Sequence, residues 1–308
     1  KIARWGKFSL PKEAIKTLDV KNKEEIRFEI IEEVEKEGFR ESYIDFVDIQ
    51  GKVIFRKNNF ITIYQNSGTP ITLPRFIKIT PELIELCFLI HGDGSYKEKL
   101  YFANKNPELH KFVMEKFEEI LKIPQNIWRA RLLFNNPANS LDAKENWKKC
   151  LNLNEEQFYP SISKSVLNTS ENGNLRIVID KLVVSKVFRH VFENLQNLDN
   201  KFSIHAVNGL LCAEGGARKN KKGLHKITIS FSQAEKEMFG GLLDRTGILK
   251  LTKIEQDSRF CIGGWGRLYR FFKIFFSNGV VPFYNHTERC NKALMGFLEH
   301  ESTQTIEN

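Results

Sequence analysis

The chain has 308 residues, a length that suits about two or three domains, with an apolar fraction of 41%, a charged fraction of 28% and a net charge of +9. Those proportions exclude a disordered or collagen-like chain; no apolar run approaches the roughly 18 residues of a membrane span, so no membrane partner is expected, and Lys1 to Leu10 lacks the apolar core of a signal peptide. Five cysteines (Cys87, Cys150, Cys212, Cys261, Cys290) form no C-x-x-C pair, which argues against a disulfide framework or zinc site and for a reducing compartment. The basic excess favours polyanions. Residues 1 to 75 carry only +2 of it, leaving +7 for residues 76 to 308, where a nucleic-acid partner is therefore expected.

The first thirty residues alternate apolar and polar at both ends around a short helical stretch, which predicts strand, short helix, strand. "GKFSLPKEAIKTLDVKNKEEIRFEI" resembles the half-unit of AbrB-like swapped-hairpin DNA-binding domains, and the resemblance implies dimerisation or a second copy. "GKVIFRKNNFITIYQ", Gly51 to Gln65, alternates similarly. "NSGTPITLPRF", Asn66 to Phe76, has the Gly, Pro, Ser and Thr content of a linker, placing a domain boundary between a β-rich module at 1–75 and the rest.

Thr80-Pro81-Glu82 supplies an N-cap, a first-turn proline and an acid at the positive dipole end, so a helix starts at Pro81. It runs through "LCFLIHGDGS" to Gly92 or Asp93 and stops at Gly94, where glycine readily turns left-handed. "KLYFAN" then reads as a strand. "NPELHKFVMEKFEEILKI" reads as a helix with Leu109, Phe112, Val113, Phe117, Ile120 and Leu121 on one face. "IWRARLLF" and "NLRIVI" read as strands with a polar connection, and Lys181 to Leu195 as an amphipathic helix.

That order recurs. "SIHAVNGLLCAEGGA", Ser203 to Ala217, is a second apolar helix ending in an acid plus glycine. "LHKITISFSQ", a helical "AEKEMFGGLLDRTG", strands "ILKLTKI" and "RFCIGGWG", and Phe-rich helices follow it. Matching Leu86–Gly94 to Val207–Gly215 superposes Asp93 on Glu214, 121 residues apart, one domain length.

These two nonapeptides resemble the two motifs of single-chain LAGLIDADG homing endonucleases, and the resemblance covers about residues 77 to 300. It implies an α+β fold of two pseudo-symmetric αββαββα repeats, 76–200 and 201–308, forming a β-saddle behind the small β-rich N-terminal domain. It also implies a monomeric, site-specific double-strand DNA endonuclease, intron-encoded or free-standing, cytoplasmic or organellar. Phosphodiester cleavage needs divalent cations that prefer hard oxygen ligands, and a helix C-terminus offers spare carbonyls at a negative dipole end. Asp93 and Glu214, with the carbonyls of Gly92 and Ala213, are therefore the expected ligands of Mg²⁺ or Mn²⁺.

By position in the motif, Asn104 and Gln233 match the polar strand-end residues near the attacking water, and Lys201 the basic residue that polarises the phosphate. His286 and Arg289 are weaker candidates for the other half, and His91 reads as a packed helix-end residue. For double-stranded DNA the suited strand residues are Arg129, Arg131, Arg218, Lys226, Lys250 and Lys253, with Lys219, Lys221 and Lys222 of "RKNKKG" as phosphate contacts. Two rival readings share the surface, a DNA-binding regulator without cleavage and an RNA intron maturase. Two departures from the motif stand out: Phe88 occupies a position where a small residue lets the paired helices touch, which predicts nesting on Gly209, and the first hairpin is very short.

Overall fold

A computed structural model describes residues 71–134, 140–164, 172–195 and 200–306 together with the strands Tyr43–Asp45 (β1), Val53–Lys57 (β2) and Phe60–Ile63 (β3), all within the unit formed by residues 42–308. The AbrB-like stretch falls outside the described residues. The alternation in Gly51 to Gln65 appears as the antiparallel hairpin β2–β3. Part of the expected linker is a strand: Ile71–Pro74 (β4) pairs with β3, and Phe76–Lys78 (β5) pairs with β1. The I-T-L alternation buries Ile71 and Leu73. That outweighs the Gly and Pro punctuation around it.

Helix α1, Pro81–Asp93, starts as expected, with the Thr80 hydroxyl accepting from the Leu83 amide at 3.3 Å. Leu83 through Ile90 are all buried, as an all-round apolar sequence requires. The reason for Gly94 differs from the expected one. Its φ and ψ are −139° and −160°, an extended conformation that any residue adopts. What demands glycine there is space, because a Cβ would lie 2.3 Å from the Tyr101 carbonyl oxygen and 2.7 Å from that of Ile90. The helix thus runs straight into the two-residue strand Gly94–Ser95 (β6), which pairs with Leu100–Asn104 (β7).

Helix α2, Pro107–Leu121, follows, capped by the Asn106 side chain, which accepts from the Glu108 amide at 2.8 Å. It buries Leu109, Val113, Phe117 and Leu121 as expected, plus His110 and Met114. Strand Arg129–Phe134 (β8) comes next. The connection read as merely polar contains a helix, Ser140–Leu151 (α3), whose Trp147 is buried and donates its indole N–H to the Asn172 carbonyl at 2.8 Å. Strands Ser163–Lys164 (β9) and Asn174–Ile179 (β10) and helix Leu182–Leu195 (α4) complete this half.

The second half has helix Asn200–Glu214 (α5), strands Gly215–Asn220 (β11) and Gly223–Ser230 (β12), and helix Lys236–Arg245 (α6). Strands Lys253–Glu255 (β13) and Arg259–Gly263 (β14) and helices Trp265–Ser277 (α7) and Thr287–Ile306 (α8) follow. Lys250, expected on a strand, lies in a 3-10 turn, Leu249–Leu251. There Ile248 and Leu251 are buried, three residues apart on one side of the turn, and the Leu249 carbonyl accepts from the Thr252 hydroxyl.

The internal repeat is visible in the topology. One sheet runs β6-β7-β10-β8 with β9 added in parallel at its edge, the other β11-β12-β14-β13. Numbered within each half, both are 1-2-4-3, and each is entered directly from an apolar helix ending in an acid. The architecture is α+β, with two repeat sheets that are antiparallel apart from the added β9 and two smaller antiparallel sheets, β1-β5 and β2-β3-β4, ahead of them. Among the described residues no helix is long and apolar enough to cross a membrane, and all five cysteines are free thiols.

Candidate active site at the paired helix ends

Helices α1 and α5 pack along their length because small residues sit where they cross. A Cβ on Gly209 would lie 2.6 Å from the Glu85 carbonyl oxygen and 3.0 Å from the Phe88 Cβ. Phe88 therefore nests on Gly209, as expected, and its ring leans on Phe192 of α4 with centroids 5.3 Å apart. One turn on, a Cβ on Gly92 would lie 2.5 Å from the Ala213 Cβ and 3.2 Å from the Glu214 Cγ. The helix tips touch, and Asp93 and Glu214 end them side by side.

Sharing this half-buried position changes both acids. Burial pushes Asp93 up to about 6, while the hydrogen bond from Asn104 and the Arg289 charge pull the other way. Glu214 is pushed up to about 7 by burial and then by the like charges of Asp93 and Glu235, again opposed by Arg289. Two carboxylates that resist joint ionisation form a place where added positive charge is favourable.

The halves hold their acids differently. Asn104, at the end of β7, donates its amide N–H to Asp93 Oδ2 at 2.5 Å and accepts the Asn106 amide at 2.8 Å. Its own carbonyl accepts from His110 Nε2 at 2.9 Å. His110 is fully buried, edge-on to Phe102 and Trp147, and burial pulls its pKa down to about 4. In the second half Gln233 lies exposed in the turn after β12, and the residue of that turn that acts on Glu214 is Glu235. Glu235 accepts from the Ser232 amide at 2.8 Å and from its hydroxyl at 2.5 Å, and its Oε1 lies 3.4 Å from His91 Nε2. His91 shares a hydrogen bond with the Tyr96 hydroxyl at 2.8 Å and stacks on Phe192 at 4.6 Å, the packed helix-end residue expected.

Arg289 proves central. Its Nη1 donates to the carbonyls of Leu211, Cys212 and Ala213 at 3.4, 2.8 and 3.0 Å, so the expected Ala213 ligand oxygen faces a guanidinium. His286 is 2% exposed and its Nδ1 accepts from the Arg289 amide at 3.3 Å. Burial pulls its pKa down to about 4, so the ring is neutral and serves as a cap rather than a cation. Lys201 is in the first turn of α5, and its side chain lies outside the described residues.

The helix pair also holds a buried acid that the sequence did not single out. Glu85, 1% exposed, binds His205 Nδ1 at 2.9 Å and accepts from the Asn285 amide at 2.8 Å. Asn208, polar within an apolar run, accepts the Phe283 amide at 2.8 Å and so anchors a residue with φ of 63°.

The divalent-cation expectation can be weighed on these donors. Among the described residues no group of three or more His, Cys, Asp and Glu gathers as a metal cluster. A paired Asp and Glu suits a cation such as Mg²⁺, which binds through one or two carboxylates and keeps waters and phosphate oxygens. The acid pair fits such a cation, whereas the Ala213 carbonyl, already bonded to Arg289, does not add to it.

On the sheets, Arg129 and Arg131 lie over the Tyr159 ring at 4.2 and 4.5 Å, and Arg176, which the sequence reading passed over, lies over Tyr101 at 4.6 Å. The bare alternation of "NLRIVI" put Arg176 on one face; only the register shows that this is the face of Arg131. Arg218, Lys221, Lys222, Lys250 and Lys253 are exposed. Lys226 pairs with Glu255 at 2.8 Å, and Lys219 pairs with Glu299 of α8 at 2.7 Å.

No family model matches this chain, and no curated protein matches it. It has a distant likeness to solved structures, of which one is a DNA complex. The crystal structure of I-DmoI in complex with DNA and Ca is 15% identical, with a TM-score of 0.31, over 63% of this chain and 89% of that one. A likeness at that TM-score carries no argument, so the functional reading rests on the geometry.

Proposed function

We propose that the chain is a site-specific double-strand DNA endonuclease of the LAGLIDADG type. The observation that carries this reading is the acid pair: Asp93 and Glu214 end two helices in contact at Gly92 and Ala213, and each helix passes directly into one of two sheets of the same strand order. Asp93 and Glu214 would hold Mg²⁺ or Mn²⁺, with the Gly92 carbonyl as a further oxygen at the α1 end, while the Ala213 carbonyl expected beside it is taken by Arg289. When bound, the cation activates water and offsets the charge on the phosphate and the leaving oxygen. Asn104 fixes the Asp93 carboxylate through the 2.5 Å bond. Gln233 and Lys201 are the polar and basic residues of the second half. Arg129, Arg131, Arg218, Lys226, Lys250 and Lys253 meet double-stranded DNA, with Lys219, Lys221 and Lys222 toward phosphates. One chain supplies both acids, so a monomer suffices, and the N-terminal stretch serves for DNA or dimer contact. The compartment is the cytoplasm or an organelle.

One observation favours a binding-only regulator. Arg289 places a positive charge on the α5 end carbonyls, where a cation would otherwise bind. Cleavage of a randomised duplex library in Mg²⁺ separates the two. Cation-dependent double-strand cuts by the wild type, lost in the Asp93→Asn/Glu214→Gln double variant, support the nuclease. Binding without cuts under Mg²⁺ or Mn²⁺ leaves the regulator.

A further inference from the structure

We infer that Arg131 and Arg176 form a preassembled pair that reads two neighbouring guanines in the half-site facing the first sheet. The inference rests on the DNA-binding reading and goes beyond it in naming a base and two residues. Arg131 and Arg176 are register partners on β8 and β10, so their backbones stand about 5 Å apart. They sit in a groove of about 360 Å³ whose lining includes Lys97, Lys99, Tyr101 and Tyr159.

Each guanidinium lies over a tyrosine ring, Arg131 at 4.5 Å from the Tyr159 centroid and Arg176 at 4.6 Å from that of Tyr101. Stacking restricts the side chain before any ligand arrives and leaves the N–H edge to make contacts. Among the described residues no carboxylate lies within 4 Å of either guanidinium, and the Nε of each is buried without a hydrogen-bond partner. The groove's Asp180 is taken up by Lys99 at 2.7 Å and by the Tyr159 hydroxyl. A buried donor left unmade is costly. Two such donors side by side call for a ligand that presents paired acceptors.

Guanine offers O6 and N7 together on its major-groove edge, the pattern that an arginine fork engages at two points. The central strands place the arginines on the floor of the groove, where base edges reach, while Lys97 stands exposed at the rim for phosphate. In the second sheet Lys226 is paired with Glu255 and stands opposite Arg218, so no two arginines are register partners there and the paired-guanine requirement belongs to the first sheet.

The test is selection of bound duplexes from a randomised double-stranded DNA library by the full chain in EDTA, where nothing is cut. Wild type is expected to enrich two neighbouring guanines in one half-site. Arg131→Lys and Arg176→Lys, which keep the charge and lose the fork, are each expected to relax one of those positions roughly ten-fold. An unchanged thermal midpoint verifies the fold of each variant. Selected sites without paired guanines, or lysine variants that keep the preference, would overturn the inference. An equal loss on every sequence, with no position relaxed more than the others, would mark phosphate contacts instead. Failure of the wild type to bind any duplex is a different result, and it sinks the DNA-binding reading as well.

Discussion

His110 shows how a single buried ring supports the proposed chemistry two steps away. It donates to the Asn104 carbonyl, and Asn104 holds Asp93. Because burial pulls the pKa of His110 down to about 4, the folded chain leaves it neutral while the unfolded chain protonates it below its ordinary value of 6.5. Its stabilising contribution is therefore complete above about pH 6.5 and is lost as pH falls toward 4. Urea unfolding of wild type and His110→Gln is expected to show a stability difference that shrinks steadily over that window; a pH-independent difference would contradict the assignment. At this scale the sequence was informative about acids and amides in motif positions, since Asp93, Glu214 and Asn104 are identified by where they end an element. It was silent on His110, Glu85 and Glu235, and offered Arg289 only as a weaker candidate. Their roles come from contacts across up to 200 residues of chain, as in the Asn285 bond to Glu85, and a linear pattern carries no sign of them.

The element that matters most is the α1–α5 pair. Its closeness depends on Gly209, where a Cβ meets the backbone of Glu85 rather than the free end of a side chain, so the helices must part to admit it. Gly209→Ala is expected to cost roughly 1–3 kcal/mol despite the better helix propensity of alanine. The measurement is a lowered denaturation midpoint, accompanied by reduced cleavage because the acid tips separate. A gain in stability would mean that the pair does not pack as described. Helices and strands with a clear period or cap were legible in advance, down to Thr80. Helix α3 was not, because Ser140–Leu151 is strongly polar and only Ala143, Trp147 and Leu151 reach the core. Its Trp147 nevertheless packs edge-on to His110 at 5.2 Å, so an apparently plain connection supports the site. The strand β4 was hidden for the opposite reason, a short alternation set among turn-forming residues.

Over the whole molecule the repeat gives two halves that are alike in topology and unlike in chemistry. Both sheets run 1-2-4-3, and the two acids face each other at one place. Around them, the first half supplies Asn104, a two-residue strand β6 and stacked arginines; the second supplies Glu235, the long β11–β12 hairpin and Arg289. The duplication was readable because two apolar helices each end in an acid and glycine, and so was the short first hairpin, while the unequal partners of the two acids emerged only when contacts were assigned. The unequal surroundings predict unequal strand cleavage. The most direct measurement uses a site recovered from the library, cloned in a supercoiled plasmid, with each strand's cut followed separately in Mg²⁺ for wild type, Asp93→Asn and Glu214→Gln. The wild type is expected to linearise the plasmid, and each single variant to slow cutting of at least one strand by about 100-fold or more. Linearisation at the wild-type rate by both variants would contradict the account, because the paired carboxylates would then play no part in the reaction.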